Sequence, residues 1–314
     1  MEKNDLLAAH QRIQPYIHKT PVLTCRTIND MTGAEVYFKC ENFQKMGAFK
    51  MRGASNAILC LPQAARDNGV ATHSSGNFAQ ALALAARLMG VKAYIVMPSN
   101  APAVKKQAVL GYGGIVIDCE PTLQAREETL HAVVAKTGAT FVHPFNDDDV
   151  ILGQSTAALE LLEQAPPLDF IIAPVGGGGL LGGTALAAHH FSPATFVMGA
   201  EPFGADDAWQ SKQAGRIIPQ TGPQTIADGL RTSLGDKTFP LIRDYVREII
   251  RVEEEEIVAA MRLLLERMKI VVEPSGAVSL AALLRSKDAF SGKKVGVILS
   301  GGNIDLKTLG TYFG

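Results

Sequence analysis

The stretch FIIAPVGGGGLLGGTALAAHHF, Phe170 to Phe191, reads as a short apolar strand, a glycine turn and an alanine-rich helix. A strand that enters a helix through such a turn aims backbone N–H groups and the positive end of a helix dipole at one point. That point suits an anion, most often a phosphate. Close packing of strand on helix accounts for one or two glycines, but six of the eight residues from Gly176 to Gly183 are glycine. Phosphate binding is the better reading.

The same alternation extends outward. VATHSS precedes FAQALALAARLMG, KAYIVMP precedes APAVKKQAVLGYG, GIVIDCE precedes LQAREETLHAVVAKTG, and TFVMGAEP follows the central helix. Strands alternating with helices argue for an α/β fold: two doubly wound domains with mostly parallel sheets, helices covering both faces. The units from Gly69 onward form a small domain, 69–146, inserted in a large cofactor-binding domain made of 1–68 and 147–314.

Composition removes several function classes. The chain has 314 residues, 47% of them hydrophobic, enough to fill a substantial core. Its net charge of -1 and the lack of a basic run with interleaved aromatics argue against a nucleic-acid partner. The N-terminus, MEKNDLLAAHQRIQPY, lacks the apolar run of a signal peptide, and no segment offers about eighteen uninterrupted apolar residues. The expectation is a soluble, cytoplasmic protein with no membrane partner. Cys25, Cys40, Cys60 and Cys119 form no C-x-x-C pair and read as reduced core residues. The acidic run Glu253 to Glu256 reads as the first turn of a solvated helix.

Three further stretches carry chemistry. FQKMGAFKMRGA, Phe43 to Ala54, surrounds Lys50 with small residues and Phe49. A lysine so placed is desolvated, and burial lowers an amine's pKa and makes it a nucleophile near neutral pH. THSSGNFAQALA puts Ser74, Ser75 and Asn77 at a helix start after a strand, a second anion site suited to a carboxylate. VGVILSGGNIDL ends a buried strand with Ser300, Gly301, Gly302 and Asn303. In a doubly wound sheet, ligands bind at the carboxyl ends of strands, so these turns converge on one cleft.

A rival reading starts from Gly177, Gly179 and Gly182, which satisfy G-x-G-x-x-G, with Glu201 placed as a ribose-binding acid. That would make an NAD-dependent oxidoreductase. The turn lies past the chain's midpoint, and a dinucleotide leaves Lys50 without a role. A nucleoside triphosphate P-loop is excluded because G-x-x-x-x-G-K-[ST] does not occur.

The motifs CENFQKMGAFKMRGA, THSSGN, YIVMP, GYGG, PVGGGGLLGG, AEPFGADD, TIADG, RMKIVVEPSGA and ILSGGNIDL occur in the order in which this chain resembles the serine racemase and serine/threonine dehydratase group. These are pyridoxal-phosphate enzymes sharing the tryptophan synthase β-subunit fold (fold type II). Met51 and Arg52 follow Lys50 where sulfhydrylase relatives usually carry an acidic residue, which places the chain on the hydroxy-amino-acid branch. The resemblance implies that Lys50 holds pyridoxal 5'-phosphate covalently and that Phe49 lies against its ring. It further implies that Gly176, Gly177, Gly178, Gly179 and Leu180 bind the phosphate, that Asn77 bonds the ring hydroxyl, and that Ser300 faces the ring nitrogen. Ser75 would stand across the substrate's Cα from Lys50 as the second acid/base.

The implied activity is dehydration of a β-hydroxy amino acid such as L-serine or L-threonine to a 2-oxo acid and ammonia, with serine racemisation on the same site. The alternative substrate is threo-3-hydroxyaspartate, whose extra carboxylate needs a second cation. Arg126 matches a substrate-region arginine of the racemases, with His143 and Arg231 as further candidates. Ser74, Ser75, Asn77, Phe78 and Thr232 complete the implied substrate site. Glu201, the Ala205 carbonyl and Asp207 match positions that hold Mg2+ (or Ca2+ or Mn2+) in these relatives. The competing reading of AEPFGADD is an acidic, solvated loop. Two departures stand out: Phe78 replaces the histidine usual after the SSGN asparagine, and Phe145 replaces a polar residue, with Asn146 beside it. A homodimer is implied, and a non-catalytic amino-acid sensor is argued against by Lys50 and Ser300 together.

Overall fold

Strand β7 (Phe170–Pro174) is apolar along its whole length because it is covered on both faces, as interior parallel strands are. In the computed structural model, which describes residues 1–313, it lies near the middle of a six-stranded sheet. The order is β1 (Val22–Leu23), β2 (Glu35–Cys40), β10 (Lys294–Leu299), β7, β8 (Phe196–Pro202) and β9 (Val246–Val252). Only the β1–β2 pair is antiparallel. A second, wholly parallel sheet has the order β5 (Ile115–Cys119), β4 (Ala93–Pro98), β3 (Val70–His73) and β6 (Thr140–Phe141). Two parallel sheets wrapped by helices are the fold class expected from the strand–helix alternation. Among the described residues no helix is long and apolar enough to cross a membrane.

Register gathers the functional loops. Leu299 pairs with Cys40, Val297 with Ile172, and Pro174 with Ala200, so the carboxyl ends of β2, β10, β7 and β8 finish side by side. Helix α9 (Gly179–Phe191) leaves the glycine turn buried from Gly179 through Ala188, which explains why its sequence is apolar all round. Helix α12 (Glu254–Leu263) does begin in the acidic run, with a capping box between Glu253 and Glu256. Glu254 departs from the solvated reading by turning back to accept a hydrogen bond from Ile226 N at 2.7 Å. Cys25, Cys40 and Cys119 are buried, Cys60 is half-buried, and all four are free thiols.

Helix α3 (Lys50–Cys60) is held by charges that water does not reach. Arg52 donates to both oxygens of Glu41, from Nε at 2.7 Å and Nη2 at 2.8 Å, and to both oxygens of Glu160, from Nη1 at 2.9 Å and Nη2 at 2.8 Å. Lys39 donates to Glu160 Oε2 at 2.6 Å, and none of these four side chains is more than 1% exposed. Two cations face two carboxylates, so the cluster is neutral and fully hydrogen-bonded, the condition under which buried charge is tolerated. Burial raises the Glu160 pKa, and the Arg52 and Lys39 charges outweigh it and hold the carboxyl below its ordinary value. Glu41 follows β2 and Glu160 lies on α8 (Asp148–Gln164), so Arg52 ties the first turn of α3 to both.

Removing Arg52 strands two buried carboxylates. Arg52→Ala is expected to lower unfolding free energy by about 3–5 kcal/mol, read from the urea midpoint. A loss well under about 1 kcal/mol would mean that the network does not hold the helix.

Candidate active site

The lysine is presented by a turn forced close to the end of β10. Met46 (φ 55°) and Gly47 (φ 79°) both occupy the left-handed region, and a Cβ on Gly47 would lie 2.6 Å from Asn303 Oδ1. Gly302 N donates to Gly47 O at 2.9 Å, Phe49 N donates to Ser300 O at 3.0 Å, and Ala48 bridges Gly301. Ser300, 3% exposed, thus sits one residue-pairing away from Phe49 and Lys50.

Lys50 opens α3, and its Nζ donates to Pro144 O at 2.8 Å. The rings of Phe49 and Phe78 lie with centroids 5.1 and 5.7 Å from that nitrogen. No carboxylate compensates the enclosed amine, and burial lowers its pKa to about 8. Phe78 stands where a histidine is usual in the family the sequence resembles. The structure gives Phe78 a role of its own: it is 2% exposed and walls the amine from water.

Asn77, the first residue of α5 (Asn77–Leu88), reaches across to the other sheet. Its Nδ2 donates to Glu273 Oε1 at 2.7 Å, and its Oδ1 accepts from Asn303 Nδ2 at 2.9 Å. Asn303 Nδ2 also donates to Met46 O at 2.8 Å, closing the loop back to the lysine turn. Glu273 lies in the stretch VVEPSGA, and burial, then the Asp228 charge, raises its pKa to about 8 against the opposing Asn77 bond. Lys105 on α6 (Ala103–Gly111) pairs with Asp228, another link between the two sheets' territories. Ser74 and Ser75 are half-buried in the turn between β3 and α5, where Ser74 Oγ accepts from Gly76 N at 3.3 Å.

At the carboxyl end of β7, Gly178 is left-handed (φ 89°), and a Cβ there would lie 2.8 Å from Thr238. This turn leads into α9 with Leu180 4% exposed in its first turn. Around the other wall, His143 Nδ1 accepts from Phe145 N at 3.3 Å and Asn146 N at 2.9 Å. Burial, then the charges of His73 and Lys50, push His143 down to about 4. His73, overlooked in the sequence, ends β3 with its ring 6.4 Å from that of His143. Burial lowers its pKa, and the Arg126 charge adds to the lowering. Arg231 is turned onto Thr225 O through Nε at 3.0 Å and Nη2 at 2.5 Å, and Arg231 and Thr232 are both exposed.

The AEPFGADD loop is not solvated as the competing reading had it. Glu201 is 0% and Asp207 2% exposed. Glu201 Oε1 accepts from Ala208 N at 3.0 Å and Oε2 from Trp209 N at 2.9 Å, which fixes the acid against the backbone of its own loop. Asp207 Oδ1 accepts from Gln220 Nε2 at 3.3 Å, while Oδ2 is buried without a partner. Burial raises Glu201 well above the carboxylate range and Asp207 to about 7. Two buried acids of this kind beside the buried Ala205 have the chemistry that a nearby cation would stabilise in the charged form. Among the described residues no group of three or more His, Cys, Asp or Glu side chains gathers as a metal site.

Residues 13–301 match the family described as pyridoxal-phosphate dependent enzyme. The chain belongs to that family. The residues fit a pyridoxal-phosphate dependent enzyme: a half-buried lysine with no carboxylate beside it, a glycine turn at a helix N-terminus, and a buried serine. The chain is 51% identical over 305 residues to beta-hydroxyaspartate dehydratase of Paracoccus denitrificans, covering 97% of each. It is 52% identical over 309 residues to serine racemase of Dictyostelium discoideum, covering 97% of this chain and 95% of that protein. The crystal structure of the Dictyostelium serine racemase superimposes with a TM-score of 0.94 at 51% identity, covering 98% of this chain and 99% of that one.

Proposed function

We propose that this enzyme dehydrates a β-hydroxy amino acid to a 2-oxo acid and ammonia and racemises serine on the same site. The observation that carries the reading is Lys50, an amine enclosed by Phe49 and Phe78 with its pKa lowered to about 8. Pyridoxal phosphate, when bound, supplies an electron sink for the pair left as a proton leaves the substrate's Cα. Lys50, Phe49, Asn77, Gly176, Gly177, Gly178, Gly179, Leu180 and Ser300 are the residues that would hold it.

The chain's own groups then divide the work. Lys50 is the general base for the Cα proton, and its pKa near 8 keeps a useful fraction neutral at working pH. Phe78 and Phe49 exclude water from that nitrogen. The turn of Ser74, Ser75, Asn77 and Phe78 at the start of α5 receives the substrate carboxylate, and Ser75 handles the proton on the opposite face. The Ser300 hydroxyl donates a hydrogen bond but is too weak an acid to keep a ring nitrogen protonated as a carboxylic acid would, which favours elimination and reprotonation over transamination. Thr232 adds a hydroxyl at the pocket's exposed edge.

A second reading, threo-3-hydroxyaspartate as the preferred substrate, is supported by Arg126, a half-buried cation whose charge helps lower the His73 pKa. The likeness to the Paracoccus beta-hydroxyaspartate dehydratase favours it equally with serine. Glu201, the Ala205 carbonyl and Asp207 are proposed to hold Mg2+ (or Ca2+ or Mn2+), supported by the unpartnered Asp207 Oδ2. A cytoplasmic homodimer, in which the unit 69–146 closes over the substrate, completes the reading.

Purified enzyme with pyridoxal phosphate and Mg2+ is expected to release 2-oxo acid from L-serine or threo-3-hydroxyaspartate, with chiral analysis following residual serine. Faster turnover of hydroxyaspartate, lost selectively in Arg126→Ala, makes Arg126 the second-carboxylate ligand; accumulation of D-serine makes Ser75 the second acid/base. Absence of both activities would refute the assignment.

The metal site predicts a pH signature. Without cation the folded Asp207 sits near 7, above its unfolded value of about 3.9, so the folded state holds an extra proton and stability falls as pH rises between those values. A cation replaces that proton. Mg2+ is therefore expected to raise Tm strongly at about pH 8 and weakly at about pH 5.5, and Asp207→Asn to erase the difference. An unchanged Tm at both pH values would refute the site.

A further inference from the structure

The segment His143-Pro144-Phe145-Asn146 is folded on itself by its histidine and touches three different parts of the site. His143 Nδ1 accepts from Phe145 N at 3.3 Å and Asn146 N at 2.9 Å, which folds the segment into a turn. Pro144 O accepts from Lys50 Nζ at 2.8 Å. The Phe145 ring lies against the glycine turn so closely that a Cβ on Gly177 would be 2.3 Å from its nearest ring atom. Asn146 accepts from Lys237 N at 3.0 Å through Oδ1 and donates to Asp236 at 2.7 Å through Nδ2. Thr238, in the same 235–238 segment, donates to Gly177 O at 2.8 Å.

We propose that His143 is a positioning residue whose Nδ1, accepting two backbone N–H groups, fixes the turn that sets the Pro144 carbonyl on Lys50 and the Phe145 ring on the glycine turn. Read from sequence, this histidine is instead a candidate cation for substrate. An imidazole that accepts at Nδ1 carries its proton on Nε2 and is neutral, so it cannot be that cation while the turn is formed. The ring is held in place by Phe145, whose centroid is 4.5 Å away in an edge-on arrangement. Its burial, which depresses its pKa to about 4, keeps the acceptor available across the working range.

The geometry names its own control. Nδ1 of histidine and Oδ1 of asparagine stand the same number of bonds from the backbone, and asparagine commonly accepts from N–H groups two and three residues on. His143→Asn keeps the acceptor and removes the ring; His143→Leu keeps the bulk and removes the acceptor. The inference rests on Lys50 being the cofactor lysine, but two of its readouts do not need cofactor. In cofactor-free protein, amide hydrogen exchange at Phe145 and Asn146 reports the turn, and the pH midpoint of Lys50 acylation, read by peptide mass spectrometry, reports its enclosure. Cofactor affinity, from the visible band, is the third readout.

The expected result is parent-like exchange, midpoint and affinity for His143→Asn. For His143→Leu, both amides should lose protection, the Lys50 midpoint should rise toward the ordinary value of about 10.4 as water enters, and cofactor affinity should fall by about tenfold or more. A His143→Leu protein matching the parent in exchange and midpoint overturns the proposal. So does a His143→Asn protein impaired as much as His143→Leu. Should His143→Leu fail to fold, His143→Asn decides alone: parent-like values support the turn and impaired values overturn it. If the parent takes up no cofactor on Lys50, the functional reading falls, while exchange and midpoint still judge His143.

Discussion

The contact between Arg52 and the carboxylates of Glu41 and Glu160 is the constraint on which the site's geometry depends. It joins the end of β2, the first turn of α3 and the middle of α8 in one water-free, charge-balanced cluster. Lys50 is two residues before Arg52 on the same helix, so its backbone direction is set by bonds it does not itself make. The turn before it is equally constrained, pressed by the left-handed Met46 and Gly47 against the loop that follows β10. Lysine and serine meet because two rigid devices, one ionic and one conformational, converge on a single helix start.

The ionic cluster contrasts with the groups around it. Where charges are paired, as at Glu160, the carboxyl remains below its ordinary pKa despite burial. Where burial acts without a partner of opposite sign, each group moves toward neutrality: Lys50 down to about 8, Glu273 up to about 8, Asp207 up to about 7. Of these, Lys50 and Asp207 are the groups assigned to chemistry or to a cation, and the paired charges belong to the scaffold. This is the pattern expected where function needs a group near its midpoint and structure needs it fully charged.

Much of this was legible in the chain because it is local. The strand, glycine turn and helix of Phe170–Phe191, the small residues around Lys50, and the serine-rich helix start at Asn77 are short motifs whose meaning does not require knowing what packs on them. The role of Asn77 in reaching Glu273, 196 residues away, was not legible, because that pairing depends on how the two sheets face each other. The same holds for Arg52 and Glu160, 108 residues apart, and for His73 meeting His143. Phe78 reads from sequence as a substrate-loop residue in place of a histidine; a wall over an amine is a three-dimensional property. The burial of Glu201 and Asp207 in the acidic AEPFGADD loop is likewise a three-dimensional property that the local sequence does not carry.

The central claim is that Lys50 is the residue on which pyridoxal phosphate is carried. Reducing the cofactor-loaded protein with borohydride, digesting it and mapping the pyridoxyl group by mass spectrometry tests this directly. The account predicts the label on Lys50 and its loss, with the visible band, in Lys50→Ala. A label on another lysine, such as Lys39 or Lys105, or a fully retained band in Lys50→Ala, would contradict it.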